Sequence, residues 1–354
     1  MTLNETLEKI KELDGEAMRI ASARWDSIAK PLHSLGKMEE MTIRIAGITG
    51  DPDIPIAKKA LAAFCADNGV VEEGVTQTGQ EVTAIVAENF LSGDTTSCAL
   101  CRKARADVFP VDMGMARDTK VRTDLKVAMG TRNMAKEPAM SRDEALKAIQ
   151  GGITLAEELK QKGYQLLAVG EMGIGNTTTS SAMASVLLDK PAEMMTGRGA
   201  GLDNEGLVRK TNAIKKAIAL HRPDPSDPVD VLAKVGGFDI GGMIGLYLGA
   251  AANRIPVVLD GFISCVAALA AVRLCPVVND YLLVSHVSKE PATQAVLGAL
   301  GKEAMLHGDM CLGEGTGAIV LFPVLDMAVC VYHSMSTFSD IHVEAYEDFA
   351  KYES

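Results

Sequence analysis

Residues 166–181, LLAVGEMGIGNTTTSS, decide the fold. The apolar run Leu166 to Val169 reads as a strand that ends in Gly170-Glu171. A loop with closely spaced glycines follows. A run of Thr and Ser then leads into Ala182-Met-Ala-Ser-Val-Leu, which reads as a helix. Strand, loop and helix N-terminus in that order leave backbone N–H groups pointing outward, which suits a phosphate. The segment lacks the lysine of a P-loop, and its glycines do not match a dinucleotide fingerprint. Thr and Ser also cap helices whatever the function. Two readings therefore stand: a phosphate site, or a tight turn with a polar cap.

The same alternation continues on both sides. Strands are expected at Ala106–Val111, Tyr164–Val169, Ile255–Leu259 and Tyr281–His286. Helices are expected at Ala57–Phe64, Glu81–Phe90, Thr96–Ala104 and Ser141–Lys162, the last opened by a Ser141/Glu144 capping box. Further helices are expected at Thr179–Leu188, Asn204–Leu220, Val229–Val235, Ile244–Ala252, Phe262–Ala271, Glu290–Leu300 and Ala318–Ala328. Residues 116–139 form a basic, irregular linker, a surface connection or a source of a cation for a phosphate. Nearly continuous apolar strands alternating with helices indicate an α/β fold, a parallel sheet covered by helices. Residues 3–30 carry helical apolar spacing and no strand, so the N-terminal arm reads as a separate helical layer.

Composition narrows the function. The chain has 354 residues, 47% hydrophobic and 23% charged, the mixture of a soluble globular protein. A net charge of -11 argues against nonspecific nucleic-acid binding but leaves room for a local phosphate pocket. The first 25 residues are amphipathic and lack the core of a signal peptide. Polar residues or glycine interrupt the long apolar tracts, so no membrane span is expected and the location is expected to be cytoplasmic. Of seven cysteines, Cys98 and Cys101 make the single CxxC. No second pair or nearby histidine completes a metal site, and reduced, buried thiols are the simpler reading.

Parallel sheets bind ligands at the carboxyl ends of their strands. The loops at 171–177, 197–203, 236–242, 260–261 and 313–317 can gather there. Lys210 can add a positive charge. Asp239 and Asp260 can hold sugar hydroxyls or cap turns. Glu314 lies between glycines, so its carboxylate can approach a ligand closely; it can equally stabilise a helix N-terminus. The six histidines show no ligand spacing, and no nucleophile–histidine arrangement is identifiable.

Seven short motifs, in this order and spacing, carry a resemblance across nearly the whole chain. They are Ser34-Leu-Gly-Lys-Met-Glu39, Asp67-Asn-Gly-Val70, Glu171-Met-Gly-Ile-Gly-Asn-Thr-Thr178 and Gly197-Arg-Gly-Ala-Gly201, then Gly237-Phe-Asp-Ile-Gly241, Val258-Leu-Asp-Gly-Phe262 and Leu312-Gly-Glu-Gly-Thr-Gly-Ala318. With these the chain resembles the nicotinate-nucleotide–dimethylbenzimidazole phosphoribosyltransferase family of cobamide synthesis. The resemblance implies a large Rossmann-like catalytic domain over 51–328 and a small helical domain built from 1–50 with 329–354. It implies transfer of 5-phosphoribosyl from nicotinate mononucleotide to a lower-ligand base, with no metal or cofactor required. It makes Glu314 the catalytic carboxylate and Glu171 the second acidic residue. Gly173, Gly175, Asn176, Thr177, Gly199 and Lys210 become the nucleotide-phosphate set, and Gln77, Gln80 and Leu312 fall on the acceptor side.

Four departures from the family pattern are visible. Asn68 stands where the family commonly has His, and Thr76-Gln-Thr-Gly-Gln80 replaces a Tyr-Pro version. Cys311 stands where Arg is frequent, and Lys30-Pro-Leu-His-Ser34 replaces a Pro-rich motif. The first two concern the acceptor side. A branch of the family acts on phenol or p-cresol as a heterodimer of two related chains. The assembly is therefore expected to be a homodimer or a heterodimer with a paralogue. A catalytically weak partner subunit is a third reading, and retention of Glu314 argues against it.

Overall fold

Lys59–Ala66 (β1) is an interior strand, buried along its whole length, in the computed structural model, which describes residues 1–347. Residues 348–354, the end of the expected C-terminal arm, lie outside the described residues. The chain begins with helices α1 (Leu3–Lys9), α2 (Gly15–Ser27) and α3 (Lys37–Thr49), then enters β1. Helices α4 (Glu81–Ser92) and α5 (Thr96–Ala104) lead to β2 (Ala106–Gly114), and α6 (Arg142–Gln161) leads to β3 (Leu166–Met172). Five helices follow: α7 (Asn176–Leu187), α8 (Ala192–Met195), α9 (Asn204–His221), α10 (Pro228–Val235) and α11 (Phe238–Ala252). Then come β4 (Val257–Leu259), α12 (Phe262–Leu274), β5 (Leu282–Val284), α13 (Thr293–Ala299) and α14 (Thr316–Ser334).

All strand pairs are parallel, in the order β2-β1-β3-β4-β5. The fold is thus α/β, a doubly wound sheet flanked by helices with a further helical region from the chain ends. Strand order reverses between β1 and β3, so the crevice beyond their carboxyl ends is where a ligand is expected. Side chains alternate across the sheet. Ala60, Ala62, Phe64, Leu167 and Val169 face the layer holding α6, α7, α10, α11 and α12. Leu61, Ala63, Cys65, Leu166 and Ala168 face the layer holding α2 to α5 and α14. Glu171, two residues beyond Val169, is thereby turned toward α7 and α11.

β1 corrects the expectation of a helix at Ala57–Phe64. Alanine favours helices, but short apolar runs do not distinguish a buried strand from a buried helix. Here the small side chains let the neighbouring layers come close. A Cβ on Gly242 of α11 would lie 2.5 Å from Phe64, and one on Gly315 would overlap Leu61. Other boundaries move as well: α11 starts at Phe238 rather than Ile244, so Asp239 lies in its first turn and not in a loop, and α7 starts at Asn176 rather than Thr179. β3 runs through Glu171 to Met172, because Phe64 and Cys65 pair with Glu171 and Met172. α14 continues through the expected tail to Ser334. The Ser141/Glu144 capping box forms, with Ser141 Oγ accepting from Glu144 N at 3.1 Å.

α14 is long and apolar enough to span a membrane by length and composition, but half of that window is buried. It packs against α3, α5, β3 and β4 as a core helix. Its far end meets the N-terminal arm. Trp25 packs edge-on against Tyr332 at 5.4 Å, and Arg24 donates to the carbonyls of Tyr332 and Met335. Cys98 and Cys101 are buried free thiols. In the 116–139 linker, Arg122, Lys126, Arg132 and Lys136 pair with Glu158, Asp112, Glu144 and Glu72, and none lines the cavity described next.

Candidate active site

A cavity of about 310 Å³ opens beyond the carboxyl end of β3, large enough for a small organic ligand. Its walls come from residues 170–177, the 198–202 loop, the start of α12 and residues 311–314. The polar loop 75–78 closes one side.

Glu171 is held at the end of β3. Asn176, on the first turn of α7, donates its side-chain amide to Glu171 and also to Asp239 Oδ2 at 2.9 Å. Burial, with Asp239 as neighbour, pushes the Glu171 carboxyl up to about 8.

Glu314 reaches the same cavity from another direction. It has φ +59° between Gly313 at +90° and Gly315 at +80°. Three successive left-handed residues swing the chain across the strand ends before α14 begins. A Cβ on Gly313 would come within 2.5 Å of Glu171, so only glycine lets the two acidic segments approach. Glu314 Oε2 accepts from Ser97 Oγ at 3.0 Å and from Ser97 N at 3.3 Å, in the first turn of α5. A helix N-terminus favours a carboxylate there. Asp260 fixes the loop from below. It accepts from Gly315 N, Gly317 N and Ala318 N at 3.2, 2.7 and 3.3 Å, capping α14.

A buried lysine stands behind the opposite wall. Lys210 Nζ donates to Thr177 Oγ1 at 2.8 Å. Its side chain is fully buried, and burial lowers its pKa to about 8. Gly199, with φ +54°, brings its backbone N–H to the same corner, where it donates to Glu290 Oε1 at 3.0 Å. Four carboxyl groups, Glu171, Asp260, Glu290 and Glu314, thus line one cavity, with the Thr177 hydroxyl and the Gly199 loop backed by Lys210 at one corner.

The chain is similar to known proteins over nearly its whole length. A phosphoribosyltransferase family model matches residues 10–343. The nicotinate-nucleotide–dimethylbenzimidazole phosphoribosyltransferase of Acetivibrio thermocellus is 50% identical over 347 residues, covering 98% of this chain and 99% of that protein. The enzyme of the same name from Geobacter metallireducens is 46% identical over 349 residues, covering 98% and 99%. The crystal structure of CobT from Thermus thermophilus superposes with a TM-score of 0.88 at 38% identity, covering 94% of this chain and 100% of that one. The chain belongs to the nicotinate-nucleotide–dimethylbenzimidazole phosphoribosyltransferase family.

In this phosphoribosyltransferase the residues expected from sequence do not all meet the cavity. Glu171, Gly173, Gly175, Asn176, Thr177, Gly199, Gln77, Leu312 and Glu314 line it. Lys210 acts one step behind, through Thr177. Gln77 bonds the Gly201 carbonyl across the mouth. Gln80 is off the wall; its amide donates to the Asn68 carbonyl at 3.0 Å. Asn68 is buried beneath the glycine loop, with Nδ2 donating to Ile174 O at 3.4 Å. Cys311 is exposed at the rim beside Leu312. Sequence reasoning missed Arg198, His286, Ser288 and Glu290, all on the wall. The last three follow β5, so the rule that ligands gather at carboxyl ends of strands should have included that loop.

Proposed function

We propose that this enzyme transfers the 5-phosphoribosyl group of nicotinate mononucleotide to 5,6-dimethylbenzimidazole, giving α-ribazole 5′-phosphate and nicotinate. The observation that carries the reading is the pairing of two acidic groups, Glu171 and Glu314, with the Lys210–Thr177–Gly199 corner across one cavity. The named activity of a relative 50% identical over nearly the full length supports it.

The chemistry follows from charge. The donor's ring nitrogen is cationic. Breaking the C1′–N bond leaves the electron pair on that nitrogen and neutralises it, so nicotinate departs readily. The acceptor's ring nitrogen attacks C1′ from the opposite face, giving the α bond. Its N–H proton passes to Glu314 and then to solvent, which requires hydrogen-bond reach. Glu314 is presented for this by the left-handed turn and oriented by its bonds from Ser97 at the α5 N-terminus. Glu171 faces the positive charge that develops on the ribose. The backbone at Gly173, Gly175 and Thr177, with the Thr177 hydroxyl and Lys210 behind it, holds the phosphate, and Gly199 closes that corner once its N–H is released from Glu290. Gln77 and Leu312 border the acceptor, and Gln80 supports that side through Asn68.

The reading extends to the whole chain. Residues 1–50 with the described part of the C-terminal arm, 329–347, form the smaller unit, supported by the Trp25–Tyr332 packing of the two chain ends. The enzyme works in the cytoplasm as a homodimer or as a heterodimer with a paralogue.

The test is a competition. The purified chain is incubated with nicotinate mononucleotide and equimolar 5,6-dimethylbenzimidazole and p-cresol, and products are identified by mass. The expected dominant product is the α-linked benzimidazole nucleotide. A cresol riboside phosphate would replace this acceptor with a phenolic one. Absence of both products and of free nicotinate would overturn autonomous transfer.

A further inference from the structure

Glu171 and Asp239 share one donor. The single nitrogen Nδ2 of Asn176 serves both carboxyl groups, one hydrogen to each. Both are buried, Glu171 at 7% exposure and Asp239 at 0%. No lysine or arginine side chain among the described residues bonds or ion-pairs with either.

The surroundings add acid rather than base. From the end of β1 comes Asp67, buried, with Oδ1 unpartnered. From the end of β4 comes Asp260, occupied by the amides of α14. From the α14 loop comes Glu314, bonded to Ser97. β1 also contributes Cys65, a thiol that burial and the nearby carboxyls keep protonated. Asp112 of β2 is answered by Lys126 at 3.0 Å. His286, on the β5 side, bonds Ser285 at 3.0 Å, and Lys210 is turned to Thr177. The protein's own residues thus place two buried carboxyls side by side without a cation to balance the second charge.

We propose that Asp239 is a positioning residue that keeps Glu171 protonated in the ligand-free enzyme, and that docking of a cationic pyridinium nucleotide takes the place of that proton and expels it to solvent. The inference rests on the donor assigned above. A cation beside a carboxyl favours its charged form. Burial, with Asp239 beside it, raises the Glu171 carboxyl to about 8, so the ligand-free site holds the proton at neutral pH. The arriving cation lowers that value below neutrality, and Glu171 becomes the carboxylate that faces the ribose. When nicotinate leaves with a neutral ring nitrogen, the counter-charge is gone and Glu171 takes a proton back from solvent. A nucleotide whose ring nitrogen at the glycosidic bond is uncharged cannot expel the proton. The carboxyl pair therefore selects donors by the charge of the ring, a property that the phosphate corner cannot read.

The experiment is calorimetric titration of the full chain with nicotinate mononucleotide at pH 7, without acceptor, in buffers of different ionisation enthalpy. Ribose 5-phosphate is titrated in parallel. It carries the sugar and phosphate but no cation, so it measures protons exchanged at Lys210 and the phosphate. The expected result is release of about 0.5 to 1 proton more for the mononucleotide than for ribose 5-phosphate. Asp239→Asn should reduce this excess by at least about half and move the Glu171-dependent rise of kcat/KM with pH to lower pH by about one unit. Should Asp239→Asn fail to fold, Glu171→Gln serves. It should abolish the excess while leaving the ribose 5-phosphate exchange unchanged. Mononucleotide binding with no excess proton would overturn the inference and leave the assigned reaction standing. Failure of the mononucleotide to bind while ribose 5-phosphate does would overturn both.

Discussion

Glu314 is a non-glycine residue in a conformation that glycine adopts freely. A left-handed backbone costs an ordinary residue about 1–2 kcal/mol, and its two glycine neighbours share that region. The strain persists because Asp260 holds the following amides and Ser97 holds the carboxylate. In the proposed reaction the residue contributes a base, so the charge and not the shape should matter. Glu314→Gln keeps an acceptor for Ser97 and should lower kcat by about 10²- to 10⁴-fold, with donor affinity changed less than about threefold. Steady-state kinetics and calorimetric donor binding check the split. Equal loss of both would make Glu314 a binding residue instead. The carboxylate between glycines was visible in the sequence. Its bond to Ser97, 217 residues earlier, was not, because no local pattern links α5 to the α14 loop.

At the scale of elements, the site depends on how closely α11 lies over the sheet and α6. A Cβ on Gly152 of α6 would strike the Gly242 carbonyl, and one on Gly245 would strike the Ile149 carbonyl. These backbones touch with no side chain between them. α11 also carries Asp239 to Asn176 and Glu171, so its position sets the acidic pair. Gly152→Ala must move backbone rather than a side chain and should cost at least about 2 kcal/mol. Gly298→Ala in α13, where a Cβ meets nothing within 4 Å, should be neutral or stabilising by up to about 1 kcal/mol. Urea unfolding of the pair tests this, and equal effects would refute the close crossing as the cause. The Gly/Ala richness of α11 was legible in the sequence, and it marked a helix. The partner that required it was not legible, since glycine in a helix looks only like a weak helix.

For the whole molecule, the proposed phosphate site draws on β3, α7, the 198–202 loop and α9, segments brought together only in the folded state. Ligand that binds this state alone stabilises it by mass action. At about 100-fold excess over Kd, nicotinate mononucleotide should add about 2.7 kcal/mol to the unfolding free energy and raise the thermal midpoint by several degrees. Lys210→Met keeps the bulk of the buried stem and removes the ammonium. It should abolish most of the shift given by ribose 5-phosphate. Scanning calorimetry decides, and an undiminished shift would remove Lys210 from the phosphate corner.

The α/β class follows from the amino-acid order alone, because strand–helix alternation and nearly continuous apolar strands are matters of periodicity. So do the family and most of the cavity wall, because short motifs with glycines and acidic residues sit at predictable strand ends. Packing settled the rest. β1 is a strand because its alanines lie between β2 and β3, not because of their own propensity. Glu171 belongs to the strand and not to the loop, since Phe64 and Cys65 pair with it and with Met172. Gln80 left the wall and Glu290 joined it, since side-chain direction is set by packing. The shared amide of Asn176 between Glu171 and Asp239 belongs to this second class. Asn176 and Asp239 are 63 positions apart, and only folding lets one charge govern another.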